Sequence, residues 1–382
     1  MPQSHCKQIA PTCIIAALLL LTLAASSLLA VPPSQRETHR VVIADPTSAS
    51  TTPRQLNVVL SKDCNGFPVE YALTFETSVC ADGQCRRVEV TMIWAATGHY
   101  ERLRFPPDKP LTKNEHTPFT RADYVKLDQI LKNPDSVLAV WNPKHLLRPQ
   151  APAEEVDAVS MPTPITVKDS VVQYAAYTTW TLWHWANGPI VPKLRAITNK
   201  HCTAAYLNHL LASQDRKGTK YALDYVTEHH PGDARFVKSV CHVLEHGNRD
   251  QISASLKFLS RARTDKQKLH ALLVESCAKV RPTDCPMILQ ELAAQPDLEA
   301  ATLEGLTDKL DKFPYYPIHL ILNMIETRKF ASTKTIGDVA ALLESDNFFI
   351  ARRAYEHLTR QKLDADTQKR VDAFRAHNRD RL

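Results

Sequence analysis

From about residue 198 to its last residue the chain is one succession of helix-length segments, and this restricts the fold more than any motif does. Apolar residues recur there at three- and four-residue spacing. The segments lie near 201–213, 217–229, 233–246, 249–262, 265–280, 285–294, 297–311, 317–328, 332–344, 346–361 and 365–379. Turn sequences such as His230-Pro-Gly-Asp233 and Arg281-Pro-Thr-Asp284 separate them, and no strand-type alternation survives. Eleven short helices in antiparallel pairs imply an α-solenoid of HEAT or TPR type. No strict sequence period accompanies them, so the expected repeat is structural.

The region before it has a different rhythm. Leu56–Leu60, Val69–Val79, Arg87–Trp94 and His99–Phe105 alternate apolar and polar residues and are rich in β-formers. They predict a three- or four-stranded antiparallel meander. Residues 106–118 form a proline-broken loop. Thr120 with Asp123 reads as a capping box opening a helix to Leu131. A second box at Thr166 and Asp169 predicts a longer helix through Tyr174, Tyr177, Trp180 and Trp183 to Asn187, stopped by Gly188-Pro189. The expected fold class is therefore an α+β domain over 57–190, followed by an all-α array over 198–382. Residues 31–56, rich in Pro, Ser and Thr, read as a disordered linker.

Residues 1–30 have the order of a secretory signal peptide: Lys7, an apolar run from Cys13 to Leu23, then small residues. The expected location is periplasmic or otherwise extracytoplasmic, with membrane association only if this segment stays uncleaved. An oxidising compartment permits disulfides among the seven cysteines that follow. Cys80 and Cys85 bracket a turn and suit a cross-hairpin bond, while Cys277 and Cys285 suit a staple across a helix-helix turn. Removing Lys7 takes the net charge from +6 to +5, and no dense basic cluster is present, so nucleic acid is a poor partner.

The sequence Asp157-Ala-Val-Ser160-Met-Pro-Thr163 resembles the attachment motif of the FMN-binding domain family, found in flavinylated components of the sodium-pumping NADH:quinone reductase and of the Rnf complex. That motif reads Asp-x-x-[Ser/Thr]-Gly-Ala-Thr. Asp157, Ser160 and Thr163 keep their places, while Met161 and Pro162 replace Gly and Ala. The resemblance spans roughly residues 57–190. It implies FMN joined through a phosphoester to Thr163 by a flavin transferase, and a role as redox relay. A helix opening at Thr166 would face the phosphate with free N–H groups, and Tyr174, Tyr177 or Trp180 would stack on the ring system. The substitutions allow a degenerate relative that keeps the fold without the flavin.

The cluster Trp180-Thr-Leu-Trp183-His184-Trp185 also suits a core or interface plug. His242-Val-Leu-Glu245-His246 matches the H-x-x-E-H pattern of inverted zinc peptidases. Its place in an all-α array favours a solvated helix face instead. No nucleotide loop, G-x-S-x-G or C-x-x-C-H is present, and no general acid/base pair or nucleophile stands out. The two function classes are a flavin relay and a cofactor-free scaffold that docks a protein partner through its helical repeats.

Overall fold

The computed structural model describes residues 35–45, 53–79, 87–113, 117–141 and 169–382. They form two compact units that divide between Lys193 and Leu194. The first is α+β and the second is entirely helical.

The first unit is built on a five-stranded antiparallel meander. Its strands are β1 (Gln35–Ala44), β2 (Pro53–Lys62), β3 (Pro68–Thr77), β4 (Val88–Ala95) and β5 (Tyr100–Arg104), each hydrogen-bonded to the next in sequence. Strand alternation sends one set of side chains to a single face. Leu60 pairs with Tyr71, Tyr71 with Trp94, and Trp94 with Tyr100, giving a buried row across four strands. Leu73 with Met92 and Phe75 with Val90 extend it. The other face carries polar pairs, with Thr74 and Thr91 hydroxyls 2.8 Å apart and Arg102 paired to Glu70 at 2.7 Å, around the buried Ile93.

Two helices accompany the sheet: α1 (Arg121–Leu131) and α2 (Ala176–Asn187). The capping box at Thr120 and Asp123 is formed. Indole N–H groups tie α2 to the rest of the unit. The Trp94 Nε1 donates to the Ala186 carbonyl at 2.7 Å, and Trp185 Nε1 donates to Thr77 Oγ1 at 3.2 Å, with its ring 4.2 Å from that of Phe75.

Three expectations need correction here. Residues 35–44, assigned to a disordered linker, are strand β1, paired with β2 over its whole length from Gln35–Lys62 to Ala44–Pro53. The flanking prolines obscured an alternation that buries Val41 and Ile43. The sheet accordingly has five strands rather than three or four. The helix expected through Tyr174 starts at Ala176, because the chain before it turns: Tyr174 has φ 61°, a left-handed conformation no helix contains. The Cys80–Cys85 hairpin tip lies outside the described residues.

A helix α3 (Ile190–Asn199) spans the division, and eleven more follow. These are α4 (Ala204–Leu211), α5 (Arg216–His229), α6 (Ala234–His246), α7 (Arg249–Leu259), α8 (Lys266–Lys279), α9 (Cys285–Ala294), α10 (Ala300–Thr307), α11 (Tyr315–Thr327), α12 (Thr333–Ala341), α13 (Phe348–Leu358) and α14 (Ala365–His377). Every segment read from the sequence is a helix, in the expected order. Asp215, Asp233, Asn248, Asp265, Ser332, Asn347 and Asp364 cap their helices through side-chain oxygens. In the turn before α6, Gly232 has φ 67°, and a Cβ there would lie 1.7 Å from the Arg261 carbonyl oxygen, so only glycine fits.

Packing follows a simple rule. Each helix from α4 to α12 touches the helix two places on, and most also touch their immediate successor. The even-numbered helices α4 to α14 thus form one row and the odd-numbered α5 to α13 another. A continuous apolar core runs between them, from Leu207 to Val371.

Candidate functional site

Of the aromatic residues proposed to stack on a flavin, Tyr174 is exposed, while Tyr177 and Trp180 are engaged with protein groups. Trp180 Nε1 donates to the Trp141 carbonyl at 2.7 Å, and its ring lies 4.3 Å from His184 and 5.8 Å from Tyr177. Trp183 Nε1 donates to the Asn133 carbonyl at 2.8 Å, and His184 Nε2 donates to that of Leu138 at 3.0 Å. Burial holds the His184 imidazole below its ordinary pKa. The aromatic face of α2 therefore clamps the segment 133–141, the plug role the sequence allowed. Asp157, Ser160 and Thr163 lie outside the described residues. On the same unit a cleft of about 970 Å³ opens between β5 and α1, lined by Phe105, Pro107, Tyr124, Val125 and Lys132 among others.

The H-x-x-E-H residues do not assemble as a peptidase centre. His242 and His246 share the outer face of α6, but Glu245 turns aside to accept from Ser276 Oγ at 3.1 Å and pair with Lys279 at 3.0 Å. Cys277, near the end of α8, and Cys285, opening α9, are buried beside one another, with their thiols in hydrogen-bonding contact rather than joined as the expected staple. Both stand as free thiols, and burial together with that contact raises the Cys277 thiol far above its usual range.

The most organised polar constellation is one that sequence reading missed. It lies in the odd row, between α11 and α13. Tyr315, His319, Asn323 and Glu326 fall at positions i, i+4, i+8 and i+11 of one helix face, and Phe349, Arg353, His357 and Arg360 repeat that spacing on the neighbouring one. Arg353 is buried at 6% exposure, which such a cation tolerates only with full pairing. Its guanidinium donates to Glu326 Oε1 and to Asn323 Oδ1, both at 2.9 Å, and its Nε faces His319 Nδ1 at 3.3 Å. His357 Nδ1 donates to the same Glu326 oxygen at 2.9 Å, and Arg360 lies 3.7 Å from the other.

Charges along this seam are fixed by competition. Burial raises the Glu326 pKa, but hydrogen bonds from Arg353 and His357 outweigh it and hold the carboxyl below its ordinary value. Burial lowers the His357 pKa, and the pull of Glu326 only partly offsets this. The seam is thus one carboxylate, one buried guanidinium and a neutral imidazole, with Arg360 leaving an excess of positive charge at its rim.

Above the seam the surface is aromatic. Tyr315, Tyr316 and Phe349 are 39%, 52% and 66% exposed. Tyr315 meets Phe349 edge-on at 6.5 Å and stacks on His319 at 5.9 Å. Phe348, by contrast, is covered by the Arg381 guanidinium 3.7 Å from its ring. Tyr316 shares its helix face with Leu320, Asn323, Met324 and Thr327, which line a groove of about 210 Å³ against Leu289 and Ala293 of α9. Arg328 closes one end by donating to the carbonyls of Ala293 at 3.0 Å and Gln295 at 2.7 Å.

Among the described residues no helix is long and apolar enough to cross a membrane. Comparison of the chain with protein-family models, with curated proteins and with solved structures finds no match, so the functional reading rests on these residues alone.

Proposed function

We propose that this chain is a helical-repeat adaptor that docks an acidic, apolar-anchored protein segment along the odd row, over α9, α11 and α13. If residues 1–30 act as a signal, that partner lies outside the cytoplasm. The carrying observation is the exposed trio Tyr315, Tyr316 and Phe349, held over a seam of satisfied polar groups. Exposed aromatics on a rigid base are the usual anchors of protein recognition, because they bring large area at small cost in entropy. Charge selects the class of partner. Arg353 and Arg360 pair with the carboxylate Glu326, and Arg328 stands at the end of the groove, so the face carries more positive than negative charge and favours carboxylates on the incoming segment. The groove beside Tyr316 suits an aliphatic side chain between them.

A labelled peptide of alternating Glu and Leu, with its Lys/Leu counterpart as control, tests this against the full chain. The acidic peptide should bind in fluorescence anisotropy, and Tyr316→Ala with Phe349→Ala should weaken it at least tenfold without altering the melting curve. Equal binding of the basic peptide, or affinity unmoved by the double substitution, overturns the proposal. The flavin reading belongs to Asp157, Ser160 and Thr163, and a visible absorbance band surviving denaturation would revive it.

A further inference from the structure

The histidine pair on α6 supports a site of its own. His242 and His246 are one helical turn apart and exposed on one face, with ring centroids 4.3 Å apart and planes inclined by 35°. His246 Nδ1 lies 3.0 Å from the His242 backbone carbonyl. A carbonyl can only accept, so the proton of the neutral imidazole sits on Nδ1 and the Nε2 lone pair is free. Holding a ring by one nitrogen so that the other is offered outward is how proteins prepare a metal-ligating histidine. Both rings line a cavity of about 510 Å³ together with Ser213, Gln214, Arg216 and Gln251, spacious enough for an ion and its remaining waters.

We propose that His242 and His246 chelate a divalent transition ion of the zinc, nickel or copper class at the mouth of this cavity. Two imidazole nitrogens about 2.0–2.1 Å from one ion stand about 3 Å apart, which rings this close reach by small side-chain rotations. Imidazole selects these ions over magnesium or calcium, which demand oxygen. With two protein ligands, solvent and an anion complete the coordination, and Arg216 in the cavity wall supplies the charge that draws an anion beside the metal. Glu245 faces Ser276 and Lys279 rather than the pair, so the site binds metal without the base of a metallopeptidase. The buried Cys241, its thiol pushed up to about 11 mainly by desolvation, belongs to the core side of α6 and is not a ligand.

Calorimetric titration of the full chain with zinc alone at neutral pH tests the site. One equivalent should be lost, or its affinity reduced at least tenfold, in His242→Gln and in His246→Gln. Glu245→Gln should bind as the parent does. Copper added to the parent should give a spin-resonance spectrum with coupling to two imidazole nitrogens, absent in the double variant. Both histidines are exposed, so circular dichroism of the variants should match the parent. Zinc stoichiometry and affinity unchanged in the double variant, or displacement of zinc by equimolar magnesium, overturns the proposal.

Discussion

The two units reach stability by opposite routes. In the α+β unit the decisive contacts join distant parts of the chain: Gln35 pairs with Lys62, and Trp94 reaches Ala186. In the helical unit the contacts run to the helix two places on and, for most helices, to the next one, so no contact needs the whole to be in place. The first arrangement ties the sheet to a helix far along the chain, through Trp94 to Ala186 and Trp185 to Thr77. The second leaves each interface to be settled locally, so a pair of helices can carry a buried polar seam without disturbing the rest. A chain built this way can change one helical face while its folding problem stays the same.

The comparison can be broken experimentally, because all five tryptophans, at 94, 141, 180, 183 and 185, precede the division. Indole fluorescence follows the first unit, and ellipticity at 222 nm is dominated by the second. Trp94→Ala should have the largest effect, about 3–5 kcal/mol, from the cavity and the lost hydrogen bond. The fluorescence transition should collapse while most ellipticity is retained; loss of both together would show that the units do not fold separately.

Arg353→Ala should cost about 2–3 kcal/mol, at or below the lower end of the range for a broken buried pair, since Glu326 keeps some access to water. It should move the ellipticity transition and leave fluorescence in place. Joint replacement by Arg353→Met and Glu326→Gln should cost less than the two single losses summed.

Acidification should separate the units more gently. A histidine whose folded pKa lies below its unfolded value stabilises the neutral side, and that stability is lost as pH falls from about 6.5 toward the folded value. Burial lowers His357 and His270 in the helical unit, and His184 in the first. Denaturation midpoints taken between pH 7.5 and 5 should fall in both, more in the helical one, and His357→Gln should flatten that slope. Below about pH 4 the paired carboxylates add a further loss, since Asp123, held at about 2 chiefly by Lys113 and Thr120, must protonate. Thr120→Ala is the smallest change, about 1 kcal/mol from the lost helix cap, seen in fluorescence alone.

Legibility in the sequence followed the same division. The helices of the array were readable because an apolar period and a capping residue announce each one, as Asp233 does for α6 and Asn248 for α7. Their ends were overrun where the last turn tightens, as at Leu310–Lys312 and Leu342–Glu344. Strand β1 was missed because half of its signal lies in its partner: Val41 and Ile43 acquire meaning only beside Leu56 and Val58. The turn at Tyr174 has no signal, since nothing in a tyrosine announces a positive φ. The seam was illegible for a related reason. Glu326 and Arg353 look like ordinary surface charges, and only the packing of α11 on α13 brings them together. The spacing of His242 and His246 was visible, but the direction of Glu245 was not.

Apolar contacts lack direction, whereas Arg353 accepts a single alignment with its three partners. Shifting α13 by one turn along α11 would strand a guanidinium in a dry place, so the register of those two helices is fixed. The spacing between Tyr316 and Phe349 is therefore a ruler of set length, and a segment docking there as proposed would have to match it rather than mould it.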